Sequence, residues 1–184
     1  VVPWFYISEM ITGGTECIRK YSYLVTKMKF PVATIPTFIN ISKFAIHAML
    51  IAIVIIIFMA FGYMPDVYLL QLPVYMILAF LFLNFWGLFS SLLGVISKDY
   101  SNLVKSFITA LWNPETVHNA TVKKLLNLNP VTFLVNGFRN CFINKVWFWE
   151  QPKRLIYFLI ITIVLLVLAI ATYKKLRKDI PDVL

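Results

Sequence analysis

Residues 155–173 read LIYFLIITIVLLVLAIATY, an uncharged run bounded by Lys153-Arg154 before it and Lys174-Lys175 after it. A helix rises about 1.5 Å per residue and a bilayer's hydrocarbon core is about 30 Å thick, so some 20 apolar residues with basic ends read as a membrane span. Two further stretches meet that standard. One is Phe44 to Phe61, preceded by the mostly uncharged 32–42; the other is Val67 to Ser97, which holds no formal charge. Backbone polar groups in lipid need partners within their own segment, which makes these stretches helices and not open strands. The fold class expected is an all-α, polytopic integral membrane protein.

The composition of the 184 residues agrees: 60% are hydrophobic and only 14% charged, against about 45–50% and about 25% in soluble domains. So apolar a chain buries enough surface to exclude disorder, and as a water-soluble domain it would expose large apolar patches. The net charge of +9 sits beside the apolar runs and not along a groove-facing helix, which speaks for lipid headgroups and topology and against nucleic acid. Cys17 and Cys141 are the only cysteines. They are expected on opposite sides of the membrane as unpaired, packed thiols.

The chain divides as one transmembrane domain over 1–184. Residues 1–14 are the end of a span, stopped by Gly13-Gly14, and 15–31 are a basic, aromatic cytoplasmic segment. Spans 32–61 and 67–97 are joined by a tight hairpin turn at Gly62, Pro65 and Asp66. As one helix 67–97 would be about 46 Å long, so it tilts or bends near Pro73, Gly87 or Gly94. Residues 101–112 form a truncated span. Residues 113–152 form an outer region with Asn-Pro at 113–114 and 129–130, an amphipathic piece at 122–128, and an aromatic cluster at 138–149 that suits an interfacial belt or a re-entrant segment. The span 155–173 and a cytoplasmic tail, 174–184, complete the chain. With the tail inside, Arg19, Lys20, Lys27, Lys29, Lys98 and Lys105 join its cations and outnumber the outer set, which includes Lys123, Lys124, Arg139, Lys145, Lys153 and Arg154.

No phosphate-cradling GxxxxGK[ST], HExxH, GxSxG or GxGxxG occurs, so no catalytic residues are expected in this chain. His47 and His118 fall in different environments and no metal site is expected. Polar groups at membrane depth carry more information, because burying them is expensive. Asn40, Lys43 and His47 share one helix face. They either line a hydrated path, or Lys43 snorkels to headgroups while His47 bonds a neighbouring helix. Glu9 is either a polar group at the inner mouth of such a path or a wet residue near a helix end. Asn84 is expected to bond across helices. The basic and aromatic stretch RKYSYLVTKMKFP, 19–31, is an interfacial anchor or a docking surface. Arg139 suits phosphate, lipid headgroups or a helix C-terminus.

PWFYISE at 3–9, LVTKMKFPVATIP at 24–36, SKDY at 97–100, LNLNPVTFLVNGFRN at 126–140 and the ending YKKLRKDIPDVL resemble, in this order and spacing, the permease subunit of ABC exporters for surface polysaccharides. The wording KMKFP, IPTF and SKFAIH is most similar to wall teichoic acid translocation permeases. The resemblance implies a type-2 ABC exporter transmembrane domain of six spans in the cell membrane. It implies a second permease copy as a homodimer partner and two copies of a separate ABC subunit that binds ATP and Mg, this chain holding no cofactor of its own. It implies a coupling helix over about 19–30, with Arg19, Tyr21, Lys27, Lys29 and Phe30 pressing on the ATPase. It also implies outer re-entrant gate helices around Asn129, Pro130 and Arg139, while Glu9, Lys43 and His47 are the path candidates of the polar-group reading above. The cargo would be a teichoic acid polymer on undecaprenyl diphosphate. Against the family's pattern, the first span and most of the second are absent, residues are missing near 111–112, and Lys98 replaces an Arg and loses its bidentate fork. Export of O-antigen or capsule, or a non-transporting membrane scaffold, are the alternatives.

Overall fold

The computed structural model describes residues 2–28, 30–111, 129–176 and 180. Lys29, His118, the 113–128 part of the outer region and most of the tail lie outside the described residues. The elements in order are α1 (Val2–Lys20), a short α2 (Ser22–Thr26), α3 (Thr34–Ala60), a 3-10 turn (Val67–Gln71) leading into α4 (Leu72–Ile96), and α5 (Lys98–Leu111). Then come α6 (Pro130–Arg139), a π turn (Asn140–Asn144), a 3-10 turn (Phe148–Glu150) and α7 (Pro152–Leu176). No strand occurs among the described residues. The chain is an all-α membrane protein, and Thr34–Ala60, Val67–Ile96 and Pro152–Leu176 are each long and apolar enough to cross a bilayer.

The bundle has two distinct ends. Arg19, Lys20, Lys27, Lys98, Lys174 and Lys175 gather at the basic end, where α1, α4 and α7 finish and α3 and α5 begin. The opposite, aromatic end carries the hairpin turn 61–66 and the segment 145–151. There Tyr68 packs on Trp147 at 5.1 Å between ring centroids, and Trp147 stacks on Trp149 at 4.4 Å. Three apolar clusters fill the interior from end to end. Cys17, Ile18, Val32, Leu92 and Ile180 close the basic end; Met10, Phe82, Leu83, Leu134 and Phe158 hold the centre; Ile51, Leu72, Tyr75, Phe138 and Cys141 close the aromatic end. The two thiols are free and buried in opposite end clusters. Outward, α3 and α7 expose Ile46, Met49, Ile53, Ile160, Ile163 and Val167, a surface suited to acyl chains and not to water.

Gly13-Gly14 does not stop the first helix, contrary to expectation; α1 runs unbroken through both to Lys20. The reason is tertiary: at Gly14 a Cβ would approach the Cα of Gly87 on α4 to 3.3 Å, so this glycine serves close helix approach and not termination. The break in 67–97 comes at its start, where the 3-10 turn passes into α4 at Leu72 and Pro73 occupies the first helical turn. A proline there interrupts nothing, because its missing N–H would lack an intrahelical partner anyway. Gly87 and Gly94 lie within a continuous α4 and make room for α1. Among the described residues, positive φ occurs only at Gly62, in the hairpin turn, and at Lys145. The last span is also longer than its uncharged run, beginning at Pro152 and ending at Leu176.

Candidate functional site

Asn40, Lys43 and His47 fall on one face of α3, and that face meets α1. Asn40 is fully buried; its Oδ1 accepts from the Tyr6 hydroxyl at 2.6 Å while its Nδ2 donates to the Phe80 carbonyl at 3.0 Å. One side chain thus ties α3 to both α1 and α4. This is the cross-helix amide bond expected of Asn84, whose Oδ1 is instead buried with no hydrogen-bond partner among the described residues. A turn above Asn40, Lys43 Nζ meets Glu9 Oε2 at 2.7 Å. Glu9 therefore stands neither alone nor near a helix end. At 1.5 Å per residue it lies about 16 Å along α1 from Lys20, and Lys43 about 14 Å along α3 from Thr34. Lys43, one residue before the apolar run that begins at Phe44, is held by a carboxylate of α1.

Contrary to expectation, His47, a further turn on, makes no hydrogen bond to a neighbouring helix among the described residues. Its ring is 2% exposed, and neither imidazole nitrogen has a hydrogen-bond partner among the described residues. It stacks on Tyr6 at 4.9 Å and 14° and takes the edge of Phe138 from α6 at 5.5 Å. His47 thus joins α1, α3 and α6 by ring packing.

The openness of the Glu9–Lys43 pair is its informative property. The Lys43 side chain is 37% exposed and that of Glu9 54%. An ion pair so exposed is not sealed within the helix packing, and the ammonium keeps donor capacity for a further polar contact. Nearer the basic end, Glu16 of α1 repeats the pattern, its Oε1 lying 2.6 Å from Lys105 Nζ of α5. No sequence pattern announced either pair, because the partners lie on different helices.

At the basic end the expected coupling residues separate into two groups. Arg19 faces inward, donating from Nη2 to the Val95 carbonyl at the end of α4 at 3.0 Å. Tyr21 is half-buried, with Lys20 Nζ 6.0 Å from its ring centroid. Lys27 and Phe30 are exposed, beside exposed Tyr23 and Met28. Just inside, Thr15 Oγ1, Ser90 Oγ and the Tyr100 hydroxyl form a chain with links of 2.6 and 3.1 Å. It binds α1, α4 and α5 into one unit.

The Asn129-Pro130 pair starts α6 as its chemistry requires. Asn129 Oδ1 accepts from the Val131 N–H at 3.0 Å as the N-cap, and proline takes the first turn. Both residues line an apolar cavity of about 400 Å³ with Ile11, Phe82, Trp86 and Tyr100. α6 is about 15 Å long and climbs from the central cluster to the aromatic end, where Arg139 is exposed. The segment after it is fixed by Gln71, 1% exposed, whose Nε2 donates to the Val146 carbonyl at 2.9 Å and whose Oε1 accepts from the Phe148 N–H at 3.0 Å.

Lys145, in left-handed backbone at φ 53°, adds an ion pair with Asp66 of the hairpin turn at 2.8 Å. The Lys145 hydrogen bond, then that from the Val67 N–H, holds the Asp66 carboxyl below its usual range, and Asp66 holds the Lys145 ammonium above its own. A depressed carboxylate contributes above its unfolded pKa and is lost as pH falls; a raised amine contributes below its unfolded pKa and is lost as pH rises. The latch is therefore complete from about pH 5 to about pH 10. Trp147 fluorescence, titrated downward from pH 6, should change as the carboxyl protonates, and Asp66→Asn should remove that step. A wild-type step surviving in Asp66→Asn would assign it to another group.

No protein-family model matches the chain. Among curated proteins it is similar to the O-antigen export system permease protein RfbA of Myxococcus xanthus, with 21% identity over 190 aligned residues. That alignment takes in 99% of this chain and 72% of the Myxococcus protein.

Proposed function

We propose that the chain is the membrane-spanning permease subunit of an ATP-driven exporter that carries a lipid-linked surface polysaccharide across the cell membrane. The observation that carries this reading is the similarity to an export-system permease along nearly the entire chain, joined to three helices long and apolar enough to cross a bilayer. Lacking a P-loop, such a permease takes its work from a separate ATP-binding subunit. The exposed Lys27 and Phe30, with Tyr21 beside them, are the contact we assign to it, and Arg19 fastens that segment to α4. A second permease copy and two ATP-binding subunits, with ATP and Mg held there, complete the assembly. α6, with Asn129 and Pro130 at mid-depth and Arg139 at the aromatic end, is the re-entrant gate element, and Glu9, Lys43 and His47 belong to the path.

The motif order and the KMKFP and SKFAIH wording support a teichoic acid polymer on undecaprenyl diphosphate as cargo. The function named for the Myxococcus protein supports O-antigen as a second reading. Co-reconstitution with the ATP-binding subunit in vesicles decides between exporter and scaffold. Movement of labelled lipid-linked polymer that rises with ATP is the expected result; equal movement with and without ATP leaves the scaffold. For the coupling contact, Lys27→Glu combined with Lys29→Glu should reduce co-purification of the ATP-binding subunit on the order of ten-fold, since reversed rim charges oppose docking. Undiminished co-purification would move that contact elsewhere.

A further inference from the structure

Val2, Glu9 and Glu16 are spaced by sevens along α1, so they form one stripe that drifts only about 20° per step and rises about 10 Å between them. A cation stands at each level of that stripe, and each comes from a different helix. Lys105 of α5 meets Glu16 at 2.6 Å, Lys43 of α3 meets Glu9 at 2.7 Å, and Arg139 of α6 lines one cavity of about 280 Å³ with Val2. The two lysines are compensated by carboxylates. Arg139, at the far end, is exposed and makes no side-chain hydrogen bond or ion pair with a described residue.

We infer that this stripe is an anion track for a phosphate-bearing polymer, in which Glu9 and Glu16 compete with passing phosphates for the lysines. The inference rests on the exporter reading above and, of its two cargoes, applies to the phosphate-bearing one. An ammonium has three donors, so Lys43 keeps capacity for a phosphate oxygen beside Glu9, and its 37% exposure leaves that side open. Arginine suits phosphate by its planar fork. As purely structural ties, half-exposed ion pairs would add little, because solvent screens their attraction. Transport asks for contacts strong enough to admit a charged cargo and weak enough to release it. An uncompensated lysine in a low-dielectric wall would trap phosphate. A carboxylate at 2.7 Å keeps each contact exchangeable, because exposed ion pairs are worth only about 0.2–1 kcal/mol. The sign of the prediction is therefore unusual: removing an acid should tighten polymer binding.

The test uses the permease with its ATP-binding subunit in nanodiscs. The probes are labelled poly(glycerol phosphate) and, as the neutral control, dextran of matched length, both read by fluorescence anisotropy. Wild type should bind the polyanion in preference to dextran, less tightly as salt rises. Glu9→Gln should bind poly(glycerol phosphate) more tightly, by up to about five-fold, the equivalent of about 1 kcal/mol. Lys43→Gln and Arg139→Gln should bind it more weakly, and Glu9→Gln with Lys43→Gln should return to the Lys43→Gln value. Because removing any acid raises the net positive charge, Glu150→Gln, off the stripe, is the control and should leave binding unchanged, and a retained thermal unfolding transition keeps the acid variant decisive if a lysine variant fails to fold. Unchanged or weaker binding by Glu9→Gln, or dextran bound as well as the polyanion, overturns the track. If wild type still moves lipid-linked polymer with ATP in that case, the exporter reading stands without it. If wild type moves no polymer and hydrolyses no ATP, the exporter reading fails and the track falls with it.

Discussion

Gly94→Val should leave α1 unable to dock on α4, with little folded protein recovered from detergent. A Cβ at Gly94 would run into the backbone carbonyl oxygen of Thr15 and come within 3.1 Å of Ser101 Oγ and 3.3 Å of Thr15 Cγ2. A flexible side-chain tip can move aside; a helical carbonyl moves only with its helix. Even Gly94→Ala should cost about 1–3 kcal/mol, the usual range for overpacking, and the branched valine more. Gly13→Ala is the control in the same interface helix. Nothing lies within 4 Å of the position, and alanine favours a helix by about 0.5–1 kcal/mol over glycine. Thermal aggregation curves in detergent should therefore separate the two alanine variants in opposite directions. Equal midpoints would mean that α1 and α4 approach less closely than the geometry requires.

Lys43→Glu should have the second largest effect. It sets two carboxylates against each other where Glu9 and Lys43 now meet at 2.7 Å. With the two side chains this exposed, losing the attraction and adding a repulsion of similar size costs roughly 1–2 kcal/mol and loosens the α1–α3 contact. ATP-driven polymer movement should fall on the order of ten-fold or more, since about 1.4 kcal/mol is already a factor of ten. The exchanged pair, Glu9→Lys with Lys43→Glu, restores opposite charges across the same gap and should recover most of the folded yield. A double variant no better than Lys43→Glu alone would show that the two positions do not act through each other.

Between these sites the chain differs in how far it could be read from one end to the other. The span at 155–173 is legible because hydropathy is a local property: a run of uncharged residues of bilayer length has one physical solution, whatever surrounds it. The N-cap at Asn129 with Pro130 following is legible for the same reason, since capping involves only adjacent residues. Gly13-Gly14 misleads because a glycine's meaning depends on what approaches it, and Gly87, the neighbour that explains Gly14, lies far along the chain. Asn84 and Asn40 look alike as buried amides, yet only Asn40 finds donor and acceptor partners, in Tyr6 and Phe80. The Gln71 clamp on Val146 and Phe148 carries no local signal at all.

By itself, then, the sequence determined that this is an all-α membrane protein, where its apolar helices run, and that Asn40, Lys43 and His47 share a face. Each of those follows from counting residues along a single helix. Only the tertiary structure decided that this face looks at α1, that Glu9 takes Lys43 while Glu16 takes Lys105, and that Arg139 comes to the head of the same stripe. Those pairings depend on the rotation and height of each helix against its neighbours, which are set by small residues such as Gly14, Gly87 and Gly94 letting backbones approach, and no periodicity within one helix encodes them.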